Sequence, residues 1–129
     1  MTRYRIFIYF YLLTFFACSK EAGSGGFAEI SGRVYAYNLN STGGIADSSY
    51  IGDERIFISY GDHTIIDDEA RTSYDGSYRF NNLNKGDYTV FIFSYCGKCP
   101  LNQEVILKKV TITEKKQDVK LDDFKIFIN

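Results

Sequence analysis

The chain has 129 residues, of which 15 are basic and 16 acidic, so its formal net charge is −1. Neither a basic patch nor a long run of like charge interrupts this balance, and we therefore exclude nucleic acid as an expected partner. Aromatic residues make up 17% of the chain. The length is enough for one domain with a modest hydrophobic core.

The N-terminal segment has the three parts of a secretory signal peptide. Arg3 and Arg5 precede an apolar run over residues 6–17, and that run ends in a small residue. A membrane-spanning helix needs about 20 residues, so the run is short for an uncleaved anchor. Charge and glycine also begin directly after Cys18. The pattern favours a signal peptide over residues 1–17, with an uncleaved single-span anchor as the alternative.

The predicted cleavage point is similar to a bacterial lipobox. The segment Phe15-Phe16-Ala17-Cys18 has a small residue directly before a cysteine, although the family usually has Leu where Phe15 stands. The resemblance implies that Cys18 is lipidated, which makes the membrane the first expected partner. One acyl chain alone anchors a protein only marginally, so two or three chains are needed. Ser19 after the cysteine matches lipoproteins sent to the outer membrane of a Gram-negative cell.

Residues 18–26 are interpreted as the lipidated cysteine and a flexible tether, because glycine and serine dominate them. Loss of Arg3 and Arg5 with the leader leaves 13 basic and 16 acidic residues, a net charge of −3. Residues 27–129 are then the folded domain.

The domain reads as all β. Residues rich in Tyr, Phe, Ile, Val and Thr alternate with turn signals about every ten residues. The strand predicted over 29–37 places Ile30, Val34 and Ala36 on one face, and Arg33, Tyr35 and Tyr37 on the other. A long polar loop follows over residues 38–53. Further strands are predicted over 55–60, 63–66, 70–74, 77–80, 88–95, 104–112 and 117–121, and residues 124–128 are a last strand or an extension of the previous one.

Two features of the sequence indicate how these strands are arranged. Asp75-Gly76 predicts a tight β-hairpin turn of type I′. The strand over 88–95 is apolar on both faces and is therefore expected to be central in its sheet. Seven or eight short antiparallel strands in about 100 residues predict a β-sandwich.

Three segments carry a family resemblance. Ile30-Ser31-Gly32-Arg33-Val34, Thr72-Ser73-Tyr74-Asp75-Gly76-Ser77-Tyr78-Arg79-Phe80 and Leu83-Asn84-Lys85-Gly86-Asp87-Tyr88-Thr89-Val90 follow in order. They look like the carboxypeptidase regulatory-like domain, a prealbumin-like Greek-key β-sandwich, over roughly residues 28–121. Related domains usually act as accessories, so the resemblance implies a non-catalytic role. The motif is read as scaffold: Gly32, Asp75, Gly76, Tyr78, Phe80, Gly86 and Tyr88.

Cys96-Gly97-Lys98-Cys99 is the sharpest chemical motif. A Cys-x-x-Cys after an apolar strand resembles a thioredoxin active site, in which a helix N-terminus activates the first thiol. The segment after Cys99 reads as strands and supplies none of the βα units that a thioredoxin needs. With Cys18 assigned to lipid, Cys96 and Cys99 form a pair in an oxidising compartment. We expect a structural disulfide, with a redox-active pair as the alternative.

Metal and catalytic sites are weakly signalled. Asp67, Asp68 and Glu69 form a calcium candidate, although their spacing matches no EF-hand loop and a solvated loop is the preferred interpretation. His63 is the only histidine. Without a positioned nucleophile it implies no catalytic triad. We expect no metal, no other cofactor and no catalytic residue.

The last clue is a set of tyrosines that are not all needed for the core: Tyr35, Tyr37, Tyr50, Tyr60 and Tyr95. Stacked tyrosine faces bind sugars, but ordinary sheet-surface tyrosines are the preferred interpretation. The prediction is a membrane-anchored, non-catalytic binding, adhesion or envelope-assembly module for an unknown protein or glycan. The first alternative is a periplasmic thiol–disulfide protein, and the second is a calcium-stabilised adhesin.

Overall fold

The computed structural model describes residues 21–63 and 65–129. The predicted leader and Cys18 lie outside these residues. Within the described ranges, no helix is long and apolar enough to span a membrane. The strands are β1 Ser24–Leu39, β2 Ile45–Tyr50, β3 Arg55–Tyr60, β4 Asp68–Arg71, β5 Ser77–Leu83, β6 Gly86–Tyr95, β7 Gln103–Ile112, β8 Asp118–Lys120 and β9 Phe124–Ile128.

The nine strands form two sheets. The four-stranded sheet has the order β4-β3-β6-β7 and is antiparallel throughout. The five-stranded sheet is built around the long strand β1, which pairs antiparallel with β2 and β5 and parallel with β8 and β9. The Val34 amide donates to the Gly76 carbonyl and the Val34 carbonyl accepts from the Ile51 amide. Since both groups of one strand residue point to the same edge, β5 and β2 follow one another along that edge of β1.

The core lies between the two sheets and follows from side-chain alternation. Ile30, Val34 and Ala36 of β1 are each at most 2% exposed, and they belong to one cluster with Ile58 and Val90 of the other sheet. Their neighbours on β1 point outward and are only half-buried. Removing such apolar surface from water contributes about 25 cal/mol per Å² and is the main term that holds the sheets together.

The predicted all-β sandwich is confirmed, with two differences in detail. The structure has nine strands rather than seven or eight, and β8 and β9 run parallel to β1 rather than antiparallel. The central position of the strand predicted over 88–95 is confirmed, because β6 lies between β3 and β7. Its outer face is less covered than expected, since Phe93 is 37% exposed.

The structure differs from the predicted loop over 38–53 and from the predicted strands over 63–66 and 70–74. The polar segment over 38–53 contains β2, in which Tyr50 lies directly opposite Tyr35 of β1. No strand forms at residues 63, 65 and 66, and the strand predicted over 70–74 lies at Asp68–Arg71, where it pairs with β3. Because β4 is an edge strand exposed on both faces, its charged side chains need no apolar pattern, and charge at an edge also discourages pairing with other chains.

The turn at Asp75-Gly76 is not the predicted type I′ hairpin. Such a turn needs positive φ at both central residues, and only Gly76 has it, at 82°. Its amide donates to the Ser73 carbonyl over 2.8 Å. The strands on either side, β4 and β5, belong to different sheets. The turn therefore carries the chain across the sandwich.

The segment expected to be a tether is partly folded. Strand β1 begins at Ser24, so residues 24–26 belong to the sheet and the boundary at Phe27 was placed too late. The Gly23 amide donates to the hydroxyl of the buried Tyr88 over 2.9 Å, and that hydroxyl lies 2.7 Å from the Asn84 carbonyl, to which it donates. These bonds attach the start of the domain to the core.

Candidate functional site

The outer face of the five-stranded sheet carries a row of four rings, which we name the aromatic platform: Tyr35, Tyr37, Tyr50 and Phe127. Tyr35 and Tyr37 alternate with the buried residues of β1 and must point outward. The register places Tyr50 opposite Tyr35 and Phe127 opposite Tyr37. Two consecutive strands and the distant β9 thus bring four aromatic side chains to one surface.

Neighbouring rings of the platform contact one another along the row. Tyr35 meets Tyr37 and Tyr50 edge-on, with ring centroids 5.4 and 5.0 Å apart. Tyr37 and Phe127 are 5.4 Å apart with an interplanar angle of 33°. Edge-on contacts of this kind contribute about 0.5–1.5 kcal/mol beyond their buried area. The Tyr37–Phe127 pair is the flattest part of the row.

Hydrogen bonds orient two of these rings. The hydroxyls of Tyr35 and Ser48 are 2.9 Å apart, and the Tyr50 hydroxyl donates to Asp123 Oδ2 over 2.6 Å. The bond to Asp123 is the main reason why the pKa of Tyr50 lies above its ordinary value, with burial and the Asp123 charge adding to it. Rings held in this way lose little freedom when a ligand covers them.

Arg33 forms the end of the row. Its guanidinium carbon lies 3.4 Å from the centroid of the Tyr50 ring. Its Nε and Nη2 atoms both donate to the Asp75 carbonyl, over 3.2 and 2.8 Å. A planar cation that stacks on a ring and donates in a fork uses two properties that lysine lacks.

The structure brings three of the five tyrosines singled out in the sequence into the platform. Tyr60 instead packs edge-on against Tyr88, at 5.8 Å between ring centroids. Sequence reasoning missed the cluster because it placed Tyr50 in a loop. The available signal was the alternation of Ser48 and Tyr50, which face Tyr37 and Tyr35 across the strand pair.

The predicted Cys96–Cys99 disulfide is present, with the two Cα atoms 5.3 Å apart. It lies in the loop between β6 and β7, and both cysteines are half-buried. The Cys96 amide donates to the Asn102 carbonyl over 2.9 Å. A single 3-10 turn, Pro100–Asn102, follows Cys99 in this loop. A 3-10 turn does not provide the α-helix N-terminus that activates a thioredoxin thiol.

The three calcium candidates have separate partners. Asp67 accepts from the Tyr60 amide over 2.7 Å, Asp68 accepts from the Glu69 amide over 2.8 Å, and the Glu69 carboxylate lies 3.9 Å from Arg55. In the described part of the chain, one group brings three potential ligand atoms within 4.8 Å of one another, and it consists of Cys96, Cys99 and Glu104. Its two sulfurs are bonded to each other. Asp67, Asp68 and Glu69 are therefore not gathered into a site.

The residues of the family-like motif all serve the scaffold. Tyr78, Phe80 and Tyr88 are at most 4% exposed, as the two-residue spacing of the first pair predicts. Asp75 Oδ1 accepts from the amide and hydroxyl of Ser77. Gly32 lies opposite Tyr78, and a Cβ there would come within 2.5 Å of the Tyr78 hydroxyl. Gly76 and Gly86 have positive φ.

The four-stranded sheet also has an apolar outer face, which the sequence analysis did not identify. Phe57 and Phe91 stack there with ring centroids 5.4 Å apart, and Phe93, Val105 and Leu107 beside them are 37–51% exposed. Among the described residues, the ring contacts of this group involve phenylalanines alone, and no cation stacks on them.

Comparison with known proteins identifies no family. Neither a family model nor a curated protein matches the chain. One solved structure that resembles it is that of a "putative carbohydrate binding protein" from Pseudomonas aeruginosa, with 13% sequence identity and a TM-score of 0.48 over 88% of this chain and 94% of that chain. A likeness of this degree leaves the function to be argued from this chain's own residues.

Proposed function

We propose that this chain is a non-catalytic binding module that holds a glycan on the aromatic platform. The observation that supports this function is a row of four partly exposed rings on one sheet face, with two of their hydroxyls fixed by hydrogen bonds. The C–H faces of a sugar ring stack on such aromatic surfaces, while hydroxyls at the border pair with polar side chains.

The same geometry favours a glycan over an apolar ligand. Tyrosine presents an apolar ring face together with a polar tip, which suits a partner that is itself apolar on its faces and polar at its edge. Ser48 and Asp123 border the platform and supply further hydrogen-bonding groups. The sheet face is open rather than a closed pocket, and it therefore fits a chain of sugars better than a small enclosed molecule.

Anchoring to the outer membrane through Cys18 is part of the proposal. It rests on the lipobox-like segment at residues 15–18. Because Gly23 is attached to Tyr88, about five residues separate the anchor from the folded domain. Fully extended, they span roughly 17 Å. The binding face would therefore operate close to the membrane surface, within a prealbumin-like module of the cell envelope.

A glycan array probed with the detergent-purified chain tests the proposal. We expect retention on a subset of glycans, and Tyr37→Ala or Phe127→Ala should remove it because either change breaks the flattest ring pair. Phe93→Ala is the matched control, since it deletes a ring of similar exposure from the other sheet. An array that retains nothing, or equal losses in all three variants, would refute a glycan role for the platform.

Protease treatment of intact cells decides where the module works. Cleavage of the tagged domain before the outer membrane is opened would place the platform outside the cell, where adhesion is the natural use. Protection until the membrane is opened would favour a role in envelope assembly. The thiol–disulfide alternative rests on the half-buried Cys96–Cys99 bond, and its test is given in the Discussion.

A further inference from the structure

Beside the aromatic platform, the five-stranded sheet carries a cleft of about 520 Å³ whose lining includes four cationic side chains and no carboxylate. We name it the cationic cleft. Hydroxyls accompany the cations in the lining, so that donors predominate. The residues that matter below are Ser31, Arg33, Arg71, Ser77, Arg79 and Lys120.

Strand register explains why the cations converge. Ser31 of β1 lies opposite Arg79 of β5 on one side and opposite Lys120 of β8 on the other. Directly opposed Cβ atoms are about 5 Å apart, so the Arg79 and Lys120 side chains start roughly 10 Å apart across Ser31. Arg33 stands two residues further along the same face, opposite Ser77. Cationic and hydroxyl side chains therefore alternate across one surface.

The charge of the cleft is only partly neutralised. Arg79 pairs with Glu29 at 3.1 Å and Arg71 with Asp53 at 2.7 Å, and all four of these side chains are at least one quarter exposed. Exposed pairs of this kind are held weakly and exchange partners readily.

The other two cations make no ion pair within the described residues. The Arg33 fork donates to the backbone carbonyl of Asp75, while the Asp75 carboxylate is bound by Ser77. Lys120 has neither a hydrogen bond nor an ion pair from its side chain in the described part of the chain. Glu29, Asp53, Asp75 and Asp118 lie around the four cations, but none of these carboxylates lines the cleft itself.

We propose that the cationic cleft binds the carboxylate or sulfate group of an acidic polysaccharide whose sugar rings lie on the aromatic platform. This inference rests on the proposed glycan function and names its ligand class. Guanidinium forks and serine hydroxyls match the oxygens of either anion. Arg33 belongs to both surfaces, because it lines the cleft and stacks on Tyr50. One ligand chain can therefore contact both surfaces without a gap.

Paired polymers test the inference. The dissociation constant of the detergent-purified chain is measured for polygalacturonate and for dextran sulfate, at about 0.15 M salt to screen distant charges. Fully methyl-esterified polygalacturonate and plain dextran are the uncharged matches. We expect at least one acidic polymer to bind about tenfold more tightly than its match, which corresponds to about 1.4 kcal/mol. The two acidic arms show whether carboxylate or sulfate is preferred.

Variants distinguish binding of the acidic polymer in the cleft from its attraction by the net charge of the protein. Arg79→Gln with Lys120→Gln should abolish the preference for the acidic polymer. Arg55→Gln with Lys109→Gln is the matched control, because it removes two exposed and carboxylate-paired cations from the four-stranded sheet. The control should retain the preference. Equal loss in both double variants would show that net charge alone attracts the polymer and would overturn the inference.

Failure of the inference is distinguishable from failure of the glycan function. Equal binding of charged and uncharged polymers, lost in Tyr37→Ala, would overturn the cationic cleft and leave the platform intact. Binding of none of the four polymers would overturn the acidic ligand class. The glycan array then decides separately whether the platform binds any sugar.

Discussion

The guanidinium carbon of Arg33 lies 3.4 Å from the centroid of the Tyr50 ring, and this contact joins two surfaces of the molecule. Tyr50 ends β2 and Arg33 lies in the middle of β1. Their contact forms at the point where β5 gives way to β2 along the edge of β1. The aromatic platform and the cationic cleft are adjacent because of this junction.

Arg33→Lys should behave as a disruptive change although it keeps the charge. Lysine cannot reproduce the forked donation to the Asp75 carbonyl or the planar stacking on Tyr50. We expect the free energy of unfolding to fall by about 1 kcal/mol. Affinity for an acidic polymer should fall as far as it does in Arg33→Gln. Urea unfolding and titration measure the two effects, and a lysine variant that matches the parent in both would contradict the role given to the fork.

Gly76→Ala should destabilise the fold strongly. Gly76 has a φ of 82°, and a Cβ there would lie 2.7 Å from the Val34 carbonyl oxygen. Strain and collision together should cost more than about 2 kcal/mol. Gly43→Ala is a close control, because Gly43 has a φ of 84° and no heavy atom within 4 Å of its Cβ position. It should cost only about 1 kcal/mol. Similar midpoints of thermal unfolding for both variants would count against the collision.

Tyr78→Phe should stabilise the protein. The Tyr78 hydroxyl is buried and has no hydrogen-bond partner within the described residues. Removing an unsatisfied polar group should raise the free energy of unfolding by about 1 kcal/mol. Tyr88→Phe is the contrasting variant, because its hydroxyl bonds to Gly23 and Asn84, and it should lower that free energy by about 1–2 kcal/mol. Denaturant unfolding of both variants at neutral pH should give opposite signs.

Tyr78→Phe should also reduce the loss of stability at alkaline pH. Burial raises the pKa of the Tyr78 phenol above its ordinary value of 10.0. The native state therefore keeps its proton where the unfolded chain loses it, so the associated stability is present below pH 10 and is lost as the pH rises further. Tyr78→Phe should lose less stability than the parent between pH 10 and 11. Parallel curves for the two proteins would refute this account.

Asp75 should contribute to acid sensitivity. The hydroxyl and amide of Ser77 both donate to its carboxylate and hold the pKa of Asp75 below its ordinary value of 3.8. Its stabilising effect is therefore present above pH 3.8 and is lost as the pH falls through the lower native pKa. Asp75→Asn keeps the acceptor but cannot titrate, so its unfolding free energy should fall less below pH 3.8. Denaturant unfolding of the parent and of Asp75→Asn between pH 7 and pH 2 measures the difference, and equal losses in the two proteins would contradict this role of Asp75.

Cys96→Ser with Cys99→Ser separates the structural from the redox role of the disulfide. The β6–β7 ladder runs from Gly86 opposite Ile112 to Tyr95 opposite Gln103 and already holds the ends of the loop together. Loss of the bond should therefore cost about 2 kcal/mol or less and leave glycan retention unchanged. A structural bond should also have a potential below about −300 mV. A potential near −200 mV against glutathione would favour the thiol–disulfide alternative.

Strands whose side-chain pattern is local were predictable. The strand Arg55–Tyr60 has the predicted bounds, because a short apolar run between turn residues leaves few other conformations. β6 was placed centrally from its apolar character on both faces. β2 was missed, and β4 was predicted over 70–74 rather than Asp68–Arg71, because both are edge strands exposed along most of their length, where hydrophobic periodicity carries little information.

The order of residues along the chain determined the all-β class, the inward face of β1, the disulfide partners and the lipobox-like segment, since each depends on neighbours a few positions apart. Only the tertiary structure decided that Tyr50 meets Tyr35, that Phe127 meets Tyr37 and that Arg79 and Lys120 flank Ser31. Those contacts depend on which strand edges pair. Because every strand offers the same backbone hydrogen-bonding groups, these groups do not indicate which partner a strand takes. The choice is made by how the whole set of buried faces packs, and no local pattern records it.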